Sequence, residues 1–263
     1  MAEFVDVLAD LTAECAELDE LVAPLSDADW ASETPSPGWT IATQIAHLAW
    51  TDDVATLAAT DPDEFAAQLQ AAIAQFDTYV DQAAAERATQ PPAELLAGWR
   101  AGRIRLADAL TATPAGTKLP WFGPPMSPMS MATARLMETW AHGQDVADTL
   151  GAQRPVTDRI RHIAHIGVRA RNYAYLIRDE QVPAEEFRVE LVGPSGDVWT
   201  WGPDDALQRV SGPALDFCLL VTQRRHRDDL TLVAEGSDAD HWLDIAQAFA
   251  GPSGDGRKPG QFA

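Results

Sequence analysis

Glu138 and His142 stand four residues apart in a stretch patterned as a helix, so both side chains leave one face about a turn apart. Asp145, three residues on, shares that face, and Ala134 and Ala141 leave room beside the polar groups. A carboxylate and an imidazole at this spacing can bind one ion together if a facing helix supplies a third donor. His47 is the best third donor. Its segment carries Ile41, Ile45 and Leu48 but also Trp50, Val54 and Leu57, apolar on more than one side, which predicts burial within a bundle. A histidine buried there needs a polar partner. Two imidazoles and one carboxylate leave coordination positions open for water or substrate. Zinc is the default ion for such donors; nickel, manganese and iron also suit them. On spacing alone, an exposed Glu138 beside an ordinarily hydrogen-bonded His142 is the more frequent outcome.

The elements that would position these residues are helical over the first 150 or so. Phe4, Leu8, Leu11, Cys15, Leu18 and Val22 recur at three- and four-residue steps. Pro35, Pro37 and Gly38 break the chain, and Thr40 is a natural N-cap for a helix to about Ala59. Phe65, Leu69, Ile73, Phe76 and Val80 mark a helix stopping by Pro91-Pro92, and Leu96, Trp99, Leu106 and Leu110 mark the next. An irregular loop, TATPAGTKLPWFGPPMSPMS, precedes a helix from about Ser130 to Leu150, with Gly151 placed as its C′ glycine. Long helices with short connections predict an antiparallel bundle. Beyond Arg154-Pro155 the period changes. A helix over Thr157–Ile177 is followed by FRVELVG, PSG and DVWTWG, a hairpin, then strand LQRVSG, helix PALDFCLLVTQR, strand DDLTLVAEG and a closing helix DADHWLDIAQAFAG. The reading is an α+β multidomain chain: a bundle over 1–154, an α+β domain over 155–251 and a loose tail over 252–263.

Forty Asp and Glu against nineteen Lys and Arg give a net charge of −21. Such a field repels phosphate backbones and anionic lipid, so neither nucleic acid nor a membrane surface is an expected partner. Cys15 and Cys218 are too few and too far apart for a disulfide framework or zinc knuckle, and both sit on apolar stripes as buried hydrophobes. With neither signal peptide nor apolar span, a cytoplasmic location is expected.

The segments SPGWTIATQIAHLAWTDD (36–53) and ARLMETWAHGQDVADTLG (134–151) resemble the two metal-binding segments of the DinB-like superfamily. Within it they are most similar to the mycothiol-dependent maleylpyruvate isomerase-like branch. There a histidine after a Trp-Thr helix start and a Glu-x-x-x-His on the last bundle helix bind a divalent metal, which implies His47, Glu138 and His142 here. The resemblance runs to about Gly251 and implies a DinB-like four-helix-type bundle followed by a sterol-carrier-like α+β domain. VSGPALDFCLLVTQRR is similar to that domain's closing segment, where the family has a Thr-Gly-Arg with an active arginine. Thr222, Gln223 and Arg224 stand there, so Gln replaces Gly and the arginine's role falls to Arg224. The block around WFGPPMSPMSMATARLMETW and the AQAFAGPSG ending resemble an actinobacterial subgroup described as metal-binding.

The function this implies is S-transfer or isomerisation of a small electrophile, with mycothiol as the low-molecular-weight thiol. Arg224 would clamp a carboxylate of substrate or thiol. Trp121-Phe122-Gly123, in an irregular loop, is the expected substrate wall, with Trp121 its leading residue. Two other classes remain: a thiol-independent metal hydrolase or lyase, with Asp145 or Asp52 handling protons, and a non-catalytic small-molecule binder. Arg225, His226 and Arg227 read as a solvated turn, and His162 and His165, among arginines, as a packing surface. The motifs of zincin peptidases, serine hydrolases, NTPases and dinucleotide enzymes are missing.

Overall fold

The apolar stripe of the N-terminal segment folds as helix α1, Ala2–Val22, and buries Leu11, Cys15, Leu18 and Val22. It does so in a computed structural model that describes residues 2–73, 79–249 and 251–262. The chain forms two units, Met1–Arg154 and Pro155–Ala263.

In the first unit a short α2, Asp27–Trp30, carries a reciprocal Ser26/Asp29 cap and drops Trp30 into the core. Helix α3, Ile41–Thr60, begins where Thr40 accepts a hydrogen bond from the Thr43 amide. It is buried on several faces, because it packs against α4 (Pro62–Ile73), α5 (Tyr79–Arg87), α6 (Pro92–Ala112) and α7 (Pro128–Leu150). The expected helix through Phe65 and Val80 supplies α4 and α5; Phe76 lies outside the described residues. Helix α7 starts two residues earlier than expected, capped by Ser127 with Pro128 in its first turn. It ends on Gly151 in the left-handed conformation, φ 61°, as a C′ glycine should. The loop before α7 was expected to hold no regular structure; Leu119 and Met126 close it with a two-way backbone bridge of 2.8 and 2.9 Å.

Helices α1 and α7 are tied together by Arg154. Its guanidinium donates to Glu14, to Glu17 at 3.0 Å and to the Trp140 carbonyl at 2.9 Å. The residue at the domain boundary is thereby a fixed part of the bundle.

In the second unit the expected single helix over Thr157–Ile177 is two: α8, Ile160–Arg169, and α9, Arg171–Leu176, meeting at Ala170. Strands β1 (Phe187–Val192), β2 (Val198–Trp201), β3 (Gln208–Pro213) and β4 (Val233–Glu235) form one sheet in the order β2-β1-β3-β4. β1 and β2 are the expected hairpin, with Leu191 opposite Trp199. β3 runs parallel to β1, Val189 opposite Val210, and β4 antiparallel to β3. Helices α10 (Ala214–Val221) and α11 (Ser237–Ile245) contact this sheet, and Trp242 meets both Phe187 and Phe217 edge-on at 5.7 and 5.8 Å.

The tail was expected to be loose. Instead Gly260 donates its amide to Asp229 at 2.8 Å, Arg225 lies 4.2 Å over the Phe262 ring, and Arg257 is buried. Cation–π stacking and a charge-assisted hydrogen bond fasten a segment whose composition alone reads as flexible. No helix among the described residues is long and apolar enough to cross a membrane.

Candidate metal centre

Three donor atoms converge between α3 and α7. His47 Nε2 lies 3.3 Å and His142 Nε2 3.2 Å from the same oxygen, Glu138 Oε2. The ligand atoms of all three residues lie within 4.8 Å of one another. The imidazole side chains are 10 and 11% exposed and Glu138 24%, so the cluster is recessed yet reachable from solvent. The four-residue spacing on α7 puts Glu138 and His142 on one face, and burial of α3 turns His47 toward them.

Burial pushes the Glu138 carboxyl up, but hydrogen bonds from His142 and His47, with their charge, outweigh it and hold the group well below the ordinary carboxylate range. Glu138 is therefore an anion facing two imidazole nitrogens. That donor set fits a divalent cation.

The surroundings of His142 strengthen the fit. Its Nδ1 makes a short hydrogen bond with Gln44 Oε1. With the single proton of a neutral imidazole on Nδ1, the Nε2···Oε2 contact has no proton in it. Two lone pairs then face each other at 3.2 Å until a cation stands between them: the second ring proton, whose hydrogen bond and charge lower the Glu138 carboxyl, or a metal ion in its place. His47 differs: its buried Nδ1 has no hydrogen-bond partner among the described residues. Leaving a buried polar atom unpaired costs about 1–3 kcal/mol, which packing must offset. Trp39 provides it, tilted over His47 at 5.3 Å and stacked on His142 at 5.7 Å and 15°. Trp50 adds a second wall 6.2 Å from His47.

The turn that delivers Trp39 is held from both sides. Gly38 adopts φ 77°, the Trp39 amide donates to the Ser36 carbonyl, and Ser36 Oγ donates to Asp145 Oδ2 at 3.0 Å. Asp145 is fully buried. Bonded to Ser36, it fastens the loop that carries Trp39 to α7.

Asp52 serves neither imidazole. It pairs with Arg135 Nε at 3.0 Å, both side chains almost wholly buried, and so clamps α3 to α7 beside the ligands. Trp121 stacks on Phe65 at 6.1 Å and belongs to the core cluster of Val54, Ala58 and Phe65. Its neighbour Phe122 reaches Trp50, at 6.1 Å, and is the loop residue connected to the site through aromatic contact. Trp50 also lines a cavity of about 670 Å³ with Tyr79, Gln82, Glu86, Arg87 and Gln90. Sequence reasoning passed over Gln44 and Thr34, while Phe122 belongs to the Trp121-Phe122-Gly123 stretch expected as a substrate wall. Gln44 carried a signal, as a polar residue one turn before His47 on a helix already read as buried.

In the second unit, Thr222–Arg224 follow α10. Gln223 takes φ 59°, the left-handed conformation natural to glycine, so the turn keeps its shape without one. The Arg224 amide donates to the Leu219 carbonyl and its Nη1 to Thr222 O, at 2.8 and 2.7 Å. Arg227 binds Asp240 and Asp244, and the His226 ring accepts from the Asp228 amide, so both serve the turn. His165 accepts from the Trp201 indole at 3.2 Å, a packing role. Burial pushes the Cys15 thiol up to about 12 and the Cys218 thiol higher still, leaving neither as a nucleophile at neutral pH.

The family model described as the mycothiol maleylpyruvate isomerase N-terminal domain matches residues 11–147. A second model, described as wyosine base formation, matches residues 183–235. Uncharacterized proteins from two strains of Mycobacterium tuberculosis are each 60% identical over 257 residues, covering 98% of this chain and all of theirs. Crystal structures of the mycothiol-dependent maleylpyruvate isomerase and of a histidine-to-alanine mutant superpose with TM-scores of 0.58 and 0.59. Both are 16% identical, covering 87% of this chain and 92% of theirs, a likeness of fold.

Proposed function

The chain belongs to the family of the mycothiol maleylpyruvate isomerase N-terminal domain, and from that premise we propose that it is a metal-dependent enzyme acting on a small electrophile with mycothiol. The observation that carries this reading is the convergence of His47 Nε2, Glu138 Oε2 and His142 Nε2 on one point. They would hold a divalent ion, with zinc the default because two imidazoles and one carboxylate form a common zinc donor set that leaves a position open. When bound, that ion supplies Lewis acidity that lowers the pKa of a thiol reaching it. Glu138 supplies the anionic charge, and the two imidazoles supply nitrogen lone pairs. Trp39 and Trp50 exclude water from the imidazole faces. The cavity beside Trp50 gives a small substrate room, with Phe122 on the aromatic wall next to it. The thiolate adds to an alkene carbon conjugated to a carbonyl, and the C=C π pair moves to the carbonyl oxygen. The enolate then either takes up the proton the thiol lost and keeps the C–S bond, as S-transfer, or after rotation about the former double bond returns the pair and expels the same thiolate, as isomerisation. Arg224 is assigned the clamping of an acidic group on substrate or thiol, because a guanidinium binds a carboxylate in two places.

Elemental analysis after equilibrium dialysis against zinc is expected to give one ion per chain, absent in His142→Ala. Consumption of an electrophile, maleylpyruvate first, is expected to require both mycothiol and an intact His142. Turnover without thiol would assign the site to hydrolysis or elimination. A ligand retained without product, with and without thiol, would make the protein a binder.

A further inference from the structure

His142 is oriented by a chain of hydrogen bonds that runs in one direction. The Trp39 carbonyl accepts from both the amide and the hydroxyl of Thr34, each at 2.7 Å. With its proton committed there, Thr34 Oγ1 is an acceptor, and Gln44 Nε2 donates to it at 2.8 Å. The other end of the same amide, Oε1, must then face His142 Nδ1, and an amide oxygen only accepts. The reverse order fails on one contact. Turning the Gln44 amide over would take the Thr34 hydroxyl proton to Oε1 and leave two acceptor oxygens, Thr34 Oγ1 and Trp39 O, at 2.7 Å with no proton between them.

We propose that Gln44, backed by Thr34, is the positioning residue that places the ring proton of His142 on Nδ1 and so selects Nε2 as its metal-binding atom. The inference rests on the metal reading above. Metal-bound histidines commonly give their second nitrogen to a carboxylate or a backbone carbonyl. Here the acceptor is a neutral side-chain amide, itself referred back to a backbone carbonyl. Gln44 is fully buried, so water does not compete for the bond. Trp39 serves both ends of the device: its carbonyl starts the chain, and its ring stacks on the imidazole that the chain orients. His47 has no counterpart to Gln44, since its Nδ1 is unpartnered among the described residues. The two histidines are therefore unequal, one preset and one held by packing.

The test uses full-length ¹⁵N-labelled protein. Long-range proton–nitrogen correlations identify which imidazole nitrogen carries the proton, with His142 assigned by its absence in His142→Ala. In the metal-free wild type at alkaline pH, where imidazoles are neutral, His142 is expected as the Nδ1–H form. Gln44→Leu is expected to mix the tautomers and weaken zinc binding about 10–100-fold. Gln44→Glu restores an acceptor oxygen and is expected to restore the Nδ1–H form. Thr34→Val, which releases the amide to rotate, reproduces the Gln44→Leu tautomer change in part and serves if Gln44→Leu does not fold. An Nδ1–H form unchanged in both Gln44→Leu and Thr34→Val overturns the proposal, as does Gln44→Glu behaving like Gln44→Leu. A wild type that takes up no stoichiometric zinc overturns the metal reading instead, and the metal-free tautomer still decides the part played by Gln44.

Discussion

Gln223 carries a backbone conformation that its own side chain resists. At φ 59° its Cβ crowds the backbone, a penalty of roughly 1–2 kcal/mol that glycine escapes. The side chain is engaged, however: a Cβ added to Gly254 would come within 2.8 Å of Gln223 Oε1, so the amide lies against the returning tail. Relief of strain outweighs the extra freedom glycine gives the unfolded chain, which is about 0.5–1 kcal/mol. Gln223→Gly is expected to raise stability by about 0.5–1 kcal/mol in urea denaturation, the difference of those two estimates. Loss of stability instead would show that the contact with the tail is worth more than the strain.

Between elements, two polar ties set how α3, α6, α1 and α7 meet. The buried Asp52–Arg135 pair joins the two helices that carry the ligands. Breaking such a pair from one side leaves an unpaired buried charge, at a cost of about 3–5 kcal/mol. Arg135→Met is expected to lose that much in chemical denaturation and to weaken metal binding, while Asp52→Asn with Arg135→Met together recovers part of the stability. On the opposite side Asp19 of α1 accepts from Arg100 Nε and Arg103 Nη2 of α6, at 2.8 and 2.7 Å. The hydrogen bond from Arg100, against the opposing effect of burial and with the charge of both arginines, holds the Asp19 carboxyl below its ordinary value. Because the folded value lies below the unfolded one, about 3.9, the tie stabilises fully above that pH and is lost as pH falls through the depressed value. Asp19→Asn is expected to be less stable at neutral pH and to show a shallower acid limb in stability against pH.

At the scale of the whole molecule, the candidate ligands all belong to the first unit, Met1–Arg154. An ion that binds only the folded bundle stabilises it by mass action, about 2.7 kcal/mol at a hundred times the dissociation constant. Scanning calorimetry with added zinc is expected to raise the transition of the helical unit and leave that of the α+β unit in place. A shift of the α+β transition alone would put the bound metal elsewhere.

What the sequence determined by itself was whatever depends on near neighbours along the chain. The four-residue interval of Glu138 and His142, the Thr40 cap, the Gly151 stop and the β1–β2 hairpin are local rules, legible because their partners lie within a turn. The pairing of His47 with Glu138, 91 residues apart, was legible as an expectation from the burial of the His47 helix and was made definite by resemblance, since no local rule links two helices. Tertiary structure decided the rest. Asp52 turned to Arg135, Asp145 to Ser36, and Trp121 and Phe122 both onto Phe65, with Phe122 also reaching Trp50, contacts that spacing does not name. The choice of nitrogen on His142 was further from sight still. It depends on the direction of protons along Trp39, Thr34 and Gln44, a chain that exists only once the turn before α3 has folded against the start of that helix.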